Sequence, residues 1–175
     1  EEYAGALELT IAGFISAKAI GLITTKMPDG SKGFSMLIII TAEFFPPFQL
    51  GYGFTLNAVG GLLGLNRTML LNPLREAVRN GAVTSIMFPQ NVVANAARII
   101  SDLKAIFPTY EGKFLIGPMA KIGWGTPTLI SLSLGLIIEI PGNIAILGIL
   151  KIALPEERVP LVQIQVLFVG TLDFD

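Results

Sequence analysis

From Leu129 to Ile140 every even-numbered position is apolar (Ile130, Leu132, Leu134, Leu136, Ile138, Ile140), while the odd positions include Ser131, Ser133, Gly135 and Glu139. A period of two sends alternate side chains to opposite sides of an extended backbone, so this segment reads as a β-strand with one dry face. The same parity returns in Phe34, Met36, Ile38, Ile40 and Phe44, in Phe114, Ile116, Ile122 and Trp124, and in Val162, Ile164, Val166, Phe168, Leu172 and Phe174. One face of the resulting sheet is apolar throughout. The odd positions keep their polar residues near the strand ends, yet their centres are apolar too: Leu37 and Ile39, Leu147 and Ile149, Leu167 and Val169. Both faces therefore need covering, and what covers them is the functional question.

Turn chemistry divides the strands. Ala6 to Thr25 is strand-like, with a parity shift around Ala12 to Phe14 that Gly13 can host as a bulge or as the break between two shorter strands. Met27-Pro28-Asp29-Gly30-Ser31 predicts a tight reversal, because Pro presets φ and Asp-Gly tolerates the turn, and a strand over Gly33 to Phe45 follows. Pro46-Pro47 supplies no backbone donor and predicts an interruption before Phe48, Leu50, Tyr52, Phe54 and Leu56 resume the alternation. Four more strands are expected at about 113–123, 128–140, 143–154 and 161–174, separated by Gly125-Thr126-Pro127, Pro141-Gly142 and Pro155-Glu156-Glu157.

Between Asn57 and Pro108 the pattern becomes helical. Asn72 is a suitable N-cap, Pro73 suits the first helical position, and Asn80-Gly81 offers a left-handed stop. A second helix is expected from about Asn91 to Phe107, where Val92, Val93, Ala96, Ile99, Ile100, Leu103 and Ile106 recur at spacings of three and four. Its charged side holds only Arg98, Asp102 and Lys104, too balanced for an anionic membrane surface, so it belongs against the sheet. The chain is thus read as α+β and mainly β: an antiparallel meander of about seven long strands, forming a curved sheet, trough or barrel, with a two-helix insert at about 72–107. Residues 1–175 form a single β-rich domain or a segment of a larger sheet.

Composition narrows the functional classes. With 52% hydrophobic and 14% charged residues the chain is too apolar for disorder, yet no run reaches the roughly 20 apolar residues of a spanning helix, so no transmembrane helix is expected. A net charge of −1, with twelve basic residues dispersed singly, argues against nucleic acid. There is no His and no Cys, which removes imidazole bases, thiol nucleophiles and the usual zinc sites. No catalytic residue, metal ligand or cofactor is assigned. The chain begins Glu1-Glu2-Tyr3, without initiator Met or targeting segment, and reads as a processed product or a part of something longer. Cell envelope or extracellular space is the favoured compartment.

Three local motifs yield to plainer readings. Gly60-Gly61-Leu62-Leu63-Gly64-Leu65-Asn66-Arg67-Thr68 is glycine-rich but lacks the Gly-Lys-Ser/Thr ending of a phosphate loop, so close backbone packing explains it better. Asn66-Arg67-Thr68 is formally a glycosylation sequon, a pattern common by chance. The carboxylate pairs Asp173/Asp175 and Glu156-Glu157 sit at a chain end and in a turn, where solvated charge is expected. Glu43, Glu139, Lys121 and Lys151 share odd positions and either pair across strands or rim a groove.

The runs GFTLNAVGGLLGLNRTMLLNPLREAVRNG (Gly53 to Gly81), FPQNVVANAARIISDLKAIFP, FLIGPMAKIGWGTPTLISLSLGLIIEIPG and LVQIQVLFVGTLDFD resemble the block shared by large bacterial proteins grouped as domain of unknown function 6603. GGLLGLNR and GPMAKIGWGTP are its most specific pieces, and the likeness covers most of the chain from Gly33 onward. The resemblance implies a fragment of a much longer polypeptide and carries no catalytic residues with it.

The expected function is non-enzymatic: a lipid or other hydrophobic-ligand binding sheet, with Ile130, Leu132, Leu134, Leu136, Val162, Ile164, Val166 and Phe168 lining the ligand-binding or interface surface. The alternative is a structural or assembly module whose apolar faces pack on a sister domain or another subunit. An outer-membrane barrel fits less well, since such barrels have polar lumens and aromatic girdles, and this chain has one Trp and three Tyr.

Overall fold

In the computed structural model the backbone is described for residues 1–154 and 162–174, and the side chains for residues 1–152 and 169–172. Eight strands form one antiparallel meander in sequence order: β1 (Glu2–Ile11), β2 (Ile15–Lys26), β3 (Lys32–Gly51), β4 (Phe54–Arg67), β5 (Thr109–Trp124), β6 (Ile130–Ile140), β7 (Gly142–Leu154) and β8 (Val162–Phe174). Two helices, α1 (Leu71–Asn80) and α2 (Ala96–Ile106), lie between β4 and β5 with a 3₁₀ turn at Ala82–Ser85. The sheet does not close, because β1 and β8 stand at opposite edges. The described strands thus form an open sheet and not a closed barrel.

Several boundaries differ from the sequence reading. Ala12 and Gly13 both adopt positive φ, +50° and +74°, so the chain reverses there and the first expected strand becomes two. This accounts for eight strands in place of about seven. Pro46-Pro47 does not end β3: the ladder to β4 shifts register between Glu43 and Phe48 and then resumes, so the prolines occupy a bulge. Residues 57–67, read as the start of the helical region, belong to β4. Gly60 is there for space, since a Cβ on it would come within 2.8 Å of Thr41 Cγ2 and 2.9 Å of the Ile40 carbonyl oxygen.

The helix starts also differ from the expectation, α1 beginning earlier and α2 later. Leu70 occupies the N-cap of α1 with no side-chain capping bond, and Asn72, inside the first turn, accepts instead from Arg75 at 3.3 Å. The stop is as expected: Gly81 has φ +85°. No atom beyond its chain neighbours would meet a Cβ there, so Gly81→Ala is a purely conformational change. It should destabilise the domain by about 1 kcal/mol, read as a lower urea midpoint at unchanged slope. Helix α2 begins only at Ala96, which leaves Val93 off the helical stripe and exposed.

The insert covers one face of the sheet. From it Leu74, Ile86, Ile99, Leu103, Ile106 and Phe107 enter a single core with Ile20, Leu37, Ile39, Leu62, Leu115 and Leu147 of the strands. Each fully buried Leu or Ile contributes about 1.5–3 kcal/mol, which makes this contact the main reason the helices form where they do. The odd-position centre is therefore covered by protein: Leu37, Ile39 and Leu147 are buried, as is Ile149, and Val169 packs against the same core. Leu167 falls outside the described side chains. The parity does not hold across the whole sheet, since Ile20 of β2 pairs with Ile39 and Leu62 of β4 also pairs with Ile39. Even positions of β2 and β4 thus share the covered face with odd positions of β3, β5, β6 and β7.

Two polar groups are fixed beneath the insert. Arg67 donates through Nη1 to the Phe107 carbonyl oxygen at 3.1 Å and through Nη2 to Thr24 Oγ1 at 2.9 Å. Burial pushes its guanidinium below the usual value, an effect that Glu2 opposes. Glu139, also buried, accepts from the Met69 backbone N–H at 2.8 Å and from the Thr68 hydroxyl, clasping the β4–α1 link to β6.

Candidate functional site

The face opposite the helices carries uninterrupted cross-strand rows of apolar residues. One row runs Ile38, Leu63, Ile116, Ile138, Ile144, Leu172 from β3 to β8. A second runs Ile23, Met36, Leu65, Phe114, Ile140 from β2 to β6. Strand-to-strand spacing of about 4.8 Å puts each member in contact with the next, so the rows form a continuous hydrocarbon surface. Nothing in the described residues lies over it: Ile116 is 40% exposed, Ile146 49% and Leu172 63%. At its β1–β3 end a shallow depression of about 260 Å³ opens between Tyr3, Gly5, Gly21, Ile23 and Ile38.

The residues singled out on β6 all belong to this uncovered face. Ile130 and Leu134 are exposed at 37% and 38%, and Leu132 and Leu136 are half-buried by their neighbours. Val162, Ile164, Val166 and Phe168 occupy β8 register positions opposite Leu154, Ile152, Leu150 and Gly148, and their side chains lie outside the described residues. The sequence reading missed the contribution of β1 and β4, where Leu7, Leu9, Val59 and Leu63 are exposed. Odd-position alternation in Val59, Gly61, Leu63 and Leu65 was the available signal, obscured by the glycines and leucines between.

A model of a family of unknown function, DUF6603, matches residues 1–175. The chain belongs to that family. No curated protein and no solved structure matches it.

The DUF6603 chain has a second concave feature, on its covered face where the insert stops short of the sheet's end. A cavity of about 360 Å³ there is lined by Lys121, Ser131, Ser133 and Lys151 from the strands and by Gln90 and Arg98 from the insert. Beside it lies one of about 420 Å³ that shares Glu43 and Lys121 and is walled by Phe44, Phe45, Pro46 and Pro127. Lys18 bridges to Glu43 at 3.3 Å and donates to Gln90 Oε1 at 2.8 Å, while Gln90 Nε2 donates to Glu43 at 2.6 Å. Of the four charged odd-position residues, Glu43, Lys121 and Lys151 thus meet at one cavity. Glu139 sits apart, at the β4–α1 link.

The remaining motifs resolve as structure. Asn66, with φ +52°, donates to the Phe34 carbonyl oxygen at 2.8 Å and accepts from the Gly112 N–H at 2.9 Å, so its amide ties β3 and β5 to β4. The glycine-rich stretch is strand β4. Asp173, Asp175, Glu156 and Glu157 lie outside the described side chains. Among the described residues no three His, Cys, Asp or Glu side chains are placed to hold a metal ion, and no helix is long and apolar enough to cross a membrane.

Proposed function

We propose that this chain is a non-enzymatic, hydrophobic-ligand binding module of a larger bacterial protein, which holds acyl chains or a similar apolar molecule against the uncovered face of its sheet. The observation that carries this reading is the apolar row from Ile38 to Leu172, continuous across six strands and uncovered. Contiguous exposed apolar surface beyond a few hundred Å² is uncommon on a protein that works alone in water and marks a binding surface. A non-catalytic role is supported by the lack of His and Cys throughout the sequence.

The assembly reading is favoured by one different observation. Among the described strands β1 pairs with β2 alone, which leaves its other backbone edge open, and its residues Tyr3, Leu7, Leu9 and Ile11 on the uncovered face are all about half exposed or more. An unprotected apolar edge strand is a template for another strand.

Displacement of cis-parinaric acid, together with native mass spectrometry after gentle extraction, separates the two. The purified chain should bind the fluorescent acid saturably and carry lipid as a monomer. The double variant Leu134→Asp, Ile146→Asp should weaken that binding about tenfold or more with little loss of stability, because both side chains already face solvent in part. A lipid-free oligomer that takes up no probe would leave the assembly reading standing, and a lipid-free monomer would defeat both.

A further inference from the structure

We infer that the cavity between the α2 N-terminus and strands β5 to β7 is a binding site for a phosphomonoester, a small organic molecule bearing a phosphate group. This site lies on the face opposite the apolar rows and does not depend on them.

Four features converge on the cavity. Lys151 and Arg98 line it with two positive charges, beside Lys121, which has an interaction of its own, and the single carboxylate of Glu43, which Lys18 and Gln90 already engage. Helix α2, eleven residues long, starts at its wall: Asn95 and Arg98 both line it. The Asn95 side chain does not cap that helix but donates away to the Gln90 carbonyl oxygen at 3.3 Å, so the first-turn N–H groups keep their capacity for an anion. Ser131 and Ser133, both more than nine-tenths buried, also line the cavity, and neither hydroxyl has a hydrogen-bond partner among the described residues. Neither oxygen is an enclosed orphan, so both open into the polar cavity, where two hydroxyls on one wall are placed for a bound acceptor.

The charge selects the ligand. A monocarboxylate brings one negative charge and one pair of oxygens, too little for Lys151, Arg98, two hydroxyls and a helix end. A phosphomonoester carries about −1.5 to −2 at neutral pH and three acceptor oxygens, which fits the donors in number and sign. The organic part would rest on Met87, Phe88 and Ile149, the apolar portion of the same lining.

Phenyl phosphate is the probe, titrated into the isotope-labelled full chain at constant ionic strength and followed by backbone amide NMR shifts. Saturable shifts are expected at residues 96–98, 131 and 133, at lower concentration than with benzoate. Ser131→Ala combined with Ser133→Ala should raise the Kd about tenfold or more, and Lys151→Gln should do likewise while Lys151→Arg retains binding. The lysine pair of variants keeps the test decisive if the serine double variant perturbs the fold. Absence of saturable shifts, benzoate binding as well as phenyl phosphate, or an unchanged Kd in Lys151→Gln would overturn the assignment. Vesicles of phosphatidylcholine carrying phosphatidic acid supply the remaining arm: shifts at these residues that only vesicles produce, and that phenyl phosphate fails to displace, would transfer the site to a lipid headgroup and overturn the small-molecule assignment.

Discussion

Phe107→Ala should lower the free energy of unfolding by about 3–5 kcal/mol, a large part of the roughly 5–15 kcal/mol available to a domain of this kind. Phe107 is among the largest wholly buried side chains, at 0% exposure, and it stands where α2 ends and the chain turns into β5. Its ring joins the helical insert to the sheet. Its backbone is held separately: the N–H donates to the Leu103 carbonyl oxygen at 2.8 Å and the carbonyl oxygen accepts from Arg67. The substitution therefore removes the ring and leaves both bonds available, so the measured loss reports packing. Urea unfolding followed by the fluorescence of the lone Trp124 gives the value, and Phe107→Leu, which keeps much of the volume, should lose visibly less. A loss below about 1 kcal/mol would mean that the insert is not seated on the sheet through this ring.

The parts of this molecule that sequence makes legible are those governed by periodicity. Strands β5 to β8 appear within a few residues of their expected limits, because each is a long alternation closed by Pro or Gly. The covered centre formed by Leu37, Ile39 and Leu147 follows from the same arithmetic. What failed is what depends on another strand. Strand β4 is disguised because its covered side must be small at Gly60, where β3 and Met119 of β5 crowd it, so its alternation is of size as much as polarity. Parity cannot be carried from strand to strand, because each turn resets it, and only the pairing of Leu62 with Ile39 reveals which side of β4 faces the helices. The polar cavity was half visible in the shared odd positions of Glu43, Lys121 and Lys151. The approach of Gln90, Asn95 and Arg98 is a tertiary event that no local pattern encodes.

The second large effect concerns a carboxylate and a glycine three residues apart. Glu139 is 2% exposed and accepts the buried Met69 N–H and the Thr68 hydroxyl, with Lys113 at 3.9 Å and the Asn143 N–H at 3.4 Å. Glu139→Ala removes the acceptor from these donors at once and should cost about 3 kcal/mol, since a buried donor left unmet loses its full desolvation energy and this one is paired with charge. Gly142 reaches the same group from the other side. It has φ +150°, and a Cβ there would fall 1.9 Å from Glu139 Oε1, so Gly142→Ala must move the carboxylate as well as strain the backbone. Both substitutions damage one constellation, and their effects should therefore not add: with the carboxylate already gone, the alanine at 142 loses its three nearest clashes, all with Glu139, and keeps the backbone penalty. The double variant should fall short of the sum of the singles by about 1–3 kcal/mol in urea unfolding. Additivity within about 0.5 kcal/mol would show that Gly142 is needed for its backbone alone and that Glu139 does not organise the turn between β6 and β7.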